Sequence, residues 1–287
     1  MNANEAVLLY VDESSRMAEA YDALVVPRFA PFATRLVERA ALRPGTMVLD
    51  VSTGTGLTAL LAAKAVTGTG LVVAIDLSDG ALAVAQTKAA RLGLRNLRFE
   101  MLDSRNIVYR QQTFDTVLSS FGLPAIGHEQ VLQEIFRVMK EGATFHLAEW
   151  AARDPPSGWD AFWEVLAVHR TSAPSSTLVQ LRAADELVKS SGDFDAIRDR
   201  DVLSAKMKKA GFSTVRAEPH VEAVDFASLD ELLAFRSAFG PVERELAEMG
   251  AEARRRFAHD LENRFQEYRH DGGFRLRWSV FYYAATR

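Results

Sequence analysis

A doubly wound α/β fold with a mostly parallel sheet follows from three features of the sequence. Short apolar runs alternate with amphipathic helical runs from Thr46 to Glu149; three of the runs close on an acid, at Asp50, Asp76 and Asp103; and the first opens through Ser52-Thr53-Gly54-Thr55-Gly56 into an alanine- and leucine-rich run that reaches Ala65. Strands buried on both faces read as continuous apolar runs, and parallel strands need helical crossovers, so this rhythm describes a sheet covered on both sides. Ligands bind such a sheet at the carboxyl ends of its strands, where the three acids stand.

Before the first strand, Glu13 to Ala41 reads as helix interrupted at Pro27 and Pro31, with Phe29, Phe32, Ala33, Leu36, Val37 and Ala40 forming one apolar stripe. Strands are expected at 46–51, 71–76, 97–102, 114–119 and 143–149, with helices at 79–92 and 128–140 between them. The rhythm breaks at Ala151. Pro155-Pro156-Ser157-Gly158 reads as a loop, Trp159 to His169 and Thr177 to Ser190 as helices, and Asp199 to Ala210 as another helix capped by Gly211. Phe212 to Phe226 is extended with a bend expected at Pro219. Ser228-Leu229-Asp230-Glu231 is a capping box that opens a helix to Phe239. A charged helix then runs to about His270, and Phe274 to Ala285 makes the seventh strand. We expect one domain over 1–287: a helical cap (1–41), a ligand-binding core (42–150), a helical insert (151–195) and the C-terminal part of the sheet (196–287).

Bulk composition excludes several classes. With 48% hydrophobic residues in 287, the chain has material for a large core. A net charge of −4 with scattered Lys and Arg leaves no footprint for nucleic acid, and Arg254-Arg255-Arg256 reads as a solvated helix face. The absence of Cys removes disulfides, thiolate metal sites and Cys nucleophiles, and no metal site is expected. No apolar run approaches the ~20 residues of a membrane span, so the reading is cytoplasmic.

The glycine loop carries the chemistry. Gly54 and Gly56 let the chain turn sharply and bring backbone N–H groups, backed by a helix N-terminus, close to a ligand. The dinucleotide pattern is G-x-G-x-x-G, whereas this chain has Asp50-x-Ser52-x-Gly54-x-Gly56, which disfavours a nicotinamide oxidoreductase.

That pattern resembles motif I of the class I S-adenosylmethionine-dependent methyltransferases, usually Asp/Glu-x-Gly-x-Gly-x-Gly, with Ser52 in place of the first glycine. If the position needs φ > 0, Ser52 costs about 1–2 kcal/mol. Asp76 in Ala74-Ile75-Asp76-Leu77-Ser78, Asp103 in Met101-Leu102-Asp103-Ser104, and Phe114-Asp115-Thr116-Val117-Leu118-Ser119 look like the family's later motifs. Glu134 to Gly142 resembles the segment that commonly reads Arg-Val-Leu-Lys-Pro-Gly-Gly, with Glu141 replacing the proline. The Tyr21-Asp22 region and the strand Phe281 to Arg287 are similar to UbiE-like, type 11 small-molecule methyltransferases.

The resemblance implies a Rossmann-like class I fold, S-adenosyl-L-methionine as cofactor, S-adenosyl-L-homocysteine as product, and a small, partly apolar acceptor methylated at O, N or C. It places the cofactor on Asp50, Ser52, Thr53, Gly54, Gly56, Asp76, Leu77, Asp103, Ser104 and Ser119. Asp50 would meet the methionine ammonium, Asp76 the ribose diol and Asp103 the adenine amine. Tyr21, Phe29, Phe121, Trp159 and Trp163 are the expected lid and acceptor wall. His128, His146, His169 and Glu149 are bases by type only, and no catalytic base is assigned. A catalytically silent member acting as a partner subunit stays open, on Ser52 and Glu141; a homodimer is compatible with the sequence.

Overall fold

A computed structural model of the chain describes residues 1–151 and 158–287. The loop expected at Pro155 to Ser157 lies outside the described residues. Two helices come first, α1 (Ala3–Leu24) and α2 (Val26–Ala40). The core follows as β1 (Met47–Val51), α3 (Leu57–Val66), β2 (Leu71–Asp76), α4 (Asp79–Arg91), β3 (Leu97–Met101), β4 (Phe114–Ser120), α5 (His128–Val138) and β5 (Met139–Trp150). Helices α6 (Trp159–His169), α7 (Ser176–Ser191), α8 (Asp193–Arg198) and α9 (Arg200–Ala210) lead to β6 (Thr214–Phe226). Then come α10 (Leu229–Ser237), α11 (Gly240–Ala247), α12 (Ala251–Arg264), the two-residue β7 (Arg269–His270) and β8 (Gly273–Thr286).

The sheet order is β3-β2-β1-β4-β5-β8-β6, with β7 paired to β8. β1 to β5 are parallel, and β8 runs antiparallel to both β5 and β6. The expected seven strands are present, and the two-residue β7 is an eighth. Outward progression from β1 to β3 on one side and from β4 on the other opens a crevice at the β1/β4 carboxyl ends.

Three apolar clusters fix the layers. α2, α6 and α10 to α12 pack with β6 and β8 around Phe32, Trp278 and Phe235. α5 and α9 cover the opposite face through Ile135, Met207 and Tyr283. Alanines of α3 sit on Val48, Val72 and Ala74. Trp159 to His169 therefore belongs to the same core as the C-terminal helices, because its buried Phe162 and Leu166 join Phe257 and Leu261 of α12.

Several boundaries move. α1 starts at Ala3 rather than near Glu13, since Asn2 and Glu5 form a capping box. Pro27 occupies the first turn of α2, where its missing N–H costs nothing, and the helix continues through Pro31. α5 stops at Val138; the buried Met139 already pairs with Phe114, and a register shift before Thr116 accommodates Gly142 at φ +74°. Pro219 makes no break: β6 is an edge strand, which tolerates a residue without an N–H, and it stays paired from Thr214 to Phe226. The charged C-terminal helix is two helices, divided at Met249-Gly250.

Candidate functional site

The motif loop joins β1 to α3 and carries three left-handed residues, Ser52 (φ +57°), Gly54 (φ +54°) and Gly56 (φ +85°). Ser52 thus occupies the conformation that glycine would take without strain. Room for its side chain comes from Gly122, where a Cβ would stand 2.6 Å from the Ser52 Cβ. Gly56 is constrained twice, because a Cβ there would also lie 2.8 Å from Ala85 of α4. The loop is tied to β2 and to itself: Thr53 N–H donates to Ile75 O at 3.0 Å and Gly56 N–H to Thr53 O at 3.0 Å.

Asp50 is 1% exposed at the end of β1. Its Oδ2 accepts from the Thr53 hydroxyl at 2.6 Å, while Oδ1 is sealed from solvent with no partner among the described residues. Burial pushes this carboxyl up to about 7 against the Thr53 hydroxyl, with Asp76 adding to the rise and the nearby Ala59 backbone N–H of α3 opposing it. Such a group gains its charge readily only beside a cation. Asp76 accepts from Gly54 N–H at 2.8 Å on one oxygen and from Ser78 N–H at 2.9 Å on the other. The glycine loop therefore turns one of its N–H groups onto the second-strand acid, whose own burial raises it. Each Asp76 oxygen keeps a lone pair for a hydroxyl donor.

Asp103 follows β3 and is held elsewhere. Arg105 clamps it through Nε at 3.1 Å and Nη2 at 2.7 Å, which holds the carboxyl below its ordinary value. Arg105 in turn reaches Asn4 of α1 at 2.7 Å. Ser104 lies beside this pair, and Leu77 continues from Asp76. Ser119 is fully buried on β4 and donates to Val51 O at 3.1 Å, bracing the loop from behind.

A cavity of about 100 Å³ opens over the loop, lined by Ser52, Thr53, Gly54 and Thr55, by Tyr21 and Phe29, and by Ser120 and Phe121 at the end of β4. Phe121 is itself left-handed at φ +55°, so a second strained residue flanks the site. Its ring meets Phe29 at 5.1 Å and Trp150 at 4.5 Å. Burial, with Asp76 nearby, pushes the Tyr21 hydroxyl up to about 12. The structure thus gathers Tyr21, Phe29 and Phe121 with the loop and leaves Trp159 and Trp163 apart, against Phe235 and Phe162.

The bases by type lie off the cavity lining. His128 Nδ1 faces Ala125 O at 3.1 Å, and His169 pairs with Asp260 at 2.8 Å. Burial pushes His146 down to about 4. It also pushes Glu149 up to about 8; one Glu149 oxygen accepts from the Trp150 N–H and the other has no partner among the described residues.

Three residues of the site have little or no sequence signal. Asp22 of α1 accepts from the Thr55 hydroxyl at 2.7 Å and from Lys88 of α4 at 2.5 Å, and Lys88 also donates to Thr55 O at 3.1 Å. Asp22 lay next to Tyr21 in the resembling stretch; Thr55 and Lys88 carry no pattern of their own. Among the described residues no cluster fits a metal ion, and no helix is long and apolar enough to cross a membrane.

The chain is similar to known methyltransferases in sequence and in fold. It is 32% identical over 122 residues to the ubiquinone/menaquinone biosynthesis C-methyltransferase UbiE of Hydrogenovibrio crunogenus, a match covering 42% of this chain and 48% of that one. The UbiE of Ectopseudomonas mendocina is 29% identical, covering 62% of this chain and 70% of that one. The chain thus spans about half the length of the first of these relatives. In fold it is similar to a SAM dependent methyltransferase from Aquifex aeolicus, at TM-score 0.53 and 16% identity, covering 94% of this chain and 98% of that one. A sequence profile of the ubiE/COQ5 methyltransferase family matches residues 29–226, from α2 to the end of β6, and the chain belongs to that family.

Proposed function

We propose that the chain transfers a methyl group from S-adenosyl-L-methionine to a small, partly apolar acceptor, as one methyltransferase domain, releasing S-adenosyl-L-homocysteine. The supporting observation is the buried Asp50 oxygen without a partner, set behind a left-handed glycine loop that faces a cavity walled by Tyr21, Phe29 and Phe121. Its residues fit this cofactor: Asp50 suits the ammonium, Asp76 the ribose hydroxyls and the 52–56 loop the methionine portion. Bound S-adenosyl-L-methionine supplies an activated methyl on a sulfonium. The protein has then to orient the acceptor, exclude water and tolerate a positive charge, and the aromatic wall over the loop suits all three. Asp103, engaged by Arg105, serves the adenine end only if that clamp opens. No described base reaches the cavity, which favours acceptors that need little help in losing a proton.

Melting curves with S-adenosylmethionine, S-adenosylhomocysteine and NAD test the reading, because a ligand of the native state stabilises it by mass action. A rise with the first two and none with NAD is expected. No rise with either overturns the proposal; binding without methyl transfer to any acceptor in a small-molecule extract assigns the chain to the silent members.

A further inference from the structure

Arg236 on α10 is 9% exposed, and its Nε is sealed from solvent without a hydrogen-bond partner among the described residues. Five other arginines of the helical layer pair with carboxylates. Arg28 pairs with Glu231, Arg170 and Arg182 with Glu245, and Arg16 and Arg244 with Glu13. Arg236 has aromatic rings instead: its guanidinium carbon lies 4.7 Å from the centroid of Trp159, 4.9 Å from Phe162, 5.0 Å from Trp163 and 5.3 Å from Phe239. Burial alone pushes the group down to about 9.

Aromatic faces soften the burial of a cation but offer no acceptor to its N–H donors. A position needing only packing is served as well by an apolar residue, since a buried charge is costly unless it is paired. The cage also adjoins the cavity. Phe239 meets Tyr21 edge-on at 5.6 Å, and Trp159 meets Trp278 at 5.7 Å, which in turn meets Phe29 at 5.6 Å. Tyr21 and Phe29 line the cavity, so the guanidinium stands one or two rings behind its apolar wall. Trp163, 40% exposed, forms the outer edge of the cage.

We propose that Arg236, framed by Trp159 and Trp163, binds the anionic end, a carboxylate or a phosphate, of the acceptor, whose apolar part reaches the cavity past the Phe239–Tyr21 contact; this rests on the methyl-transfer reading. A planar fork between flat aromatic walls suits a bidentate oxyanion carried on an aromatic or other apolar body.

Tryptophan fluorescence reads the site, because two indoles flank the guanidinium. The full chain is titrated with benzoate, phenyl phosphate and neutral benzyl alcohol in the presence of S-adenosylhomocysteine. At least one anion is expected to bind about tenfold or more tightly than the alcohol, a difference typical of one charge-assisted contact. Arg236→Lys, which keeps the charge and loses the fork, weakens anion binding roughly tenfold, and Arg236→Met abolishes the preference for the anion. Equal affinity for anion and alcohol, or unchanged anion affinity in either variant, overturns the proposal; if Arg236→Met does not fold, Arg236→Lys decides. Tighter benzoate assigns a carboxylate and tighter phenyl phosphate a phosphate. The melting shift with S-adenosylhomocysteine, recorded on the same samples, separates the two readings. Its absence overturns methyl transfer, whereas its presence without an anion preference overturns only the role of Arg236.

Discussion

Asp22 and Thr55 join the N-terminal helix to the glycine loop: the Thr55 hydroxyl donates to Asp22 Oδ1 at 2.7 Å, and Lys88 reinforces the same oxygen. Earlier in α1, the Ser15 and Ser78 hydroxyls meet at 2.9 Å and Glu13 is gripped by Arg16 and Arg244. The helix is thus fastened to the glycine loop, to the start of α4 and to α11. The cavity beside it, about 100 Å³, is below the roughly 300–1,000 Å³ of a usual ligand pocket, so we expect α1 to shift if the proposed cofactor enters.

Asp22→Ala should therefore accelerate entry and exit together. Losing one charged hydrogen-bond node is worth about 1–2 kcal/mol, roughly fivefold or more in a rate. We expect faster amide exchange over residues 3–24 without ligand, and faster association and dissociation of S-adenosylhomocysteine by stopped flow. Exchange and rates equal to those of the parent would show that the latch does not gate the site.

Asp76→Ala should remove most of the S-adenosylhomocysteine-induced rise in melting temperature, through two losses. The carboxylate no longer receives the ribose hydroxyls, and Gly54 N–H loses its 2.8 Å acceptor, which frees the loop. A ligand-induced shift as large as the parent's removes Asp76 from the site.

Asp50 makes the unliganded protein sensitive to pH. In an unfolded chain an aspartate binds its proton only below about 4, whereas in the fold Asp50 holds it to about 7. Between those values the native state binds more protons than the unfolded state, so this contribution to stability falls as pH rises through the window. Asp50→Asn should match the parent near pH 4 and exceed it in stability at pH 8. Glu149, pushed up to about 8, adds a fall of the same sign, so the comparison has to be made against the variant. A cofactor ammonium favours the ionised carboxylate, so S-adenosylhomocysteine affinity should rise with pH up to about 7, by at most about tenfold per unit. Calorimetric titration across this range checks it; equal slopes in parent and Asp50→Asn would refute an ammonium contact.

Ser52→Gly should stabilise the fold slightly and change cofactor affinity by less than about tenfold, because the strain at φ +57° is on the order of 1–2 kcal/mol. Cofactor binding gained by the variant and absent from the parent would mark the chain as a silent member.

The parallel core was legible because its signals are local: apolar runs, strand-end acids and the Gly54–Gly56 spacing each sit within a few residues. What escaped depends on partners far away in sequence. Asp103 reads as a strand-end ligand; its clamp, Arg105, is two positions on, but the Asn4 side chain that holds Arg105 lies about a hundred positions earlier. Trp159 and Trp163 read as a lid because they are large aromatics in an insert. Their direction is set by Phe235, Arg236 and the α12 helix, which no local pattern announces. The capping box at Asn2 and Glu5, by contrast, lies in the sequence to be read and places the start of α1.

The aromatic wall yields the last test, since Tyr21, Phe29 and Phe121 either face the sulfonium or only pack the cap onto the sheet. Phe121 is the informative case: a bulky residue held at φ +55° costs about 1–2 kcal/mol, which packing alone gives little reason to retain. S-adenosylmethionine carries a cationic sulfur and S-adenosylhomocysteine a neutral one, so the pair reports a cation–π contact without any acceptor being known. Such a contact, when desolvated, is worth up to about 2 kcal/mol, close to thirtyfold in affinity. Replacing Tyr21, Phe29 and Phe121 singly by Leu should weaken S-adenosylmethionine more than S-adenosylhomocysteine for at least one of them, with Phe121→Leu showing the larger difference. Trp159→Leu and Trp163→Leu should leave the ratio unchanged, because neither ring lines the cavity. If both ligands weaken together in every variant, in step with the melting temperature, the wall is structural and the sulfonium is stabilised by something other than these rings.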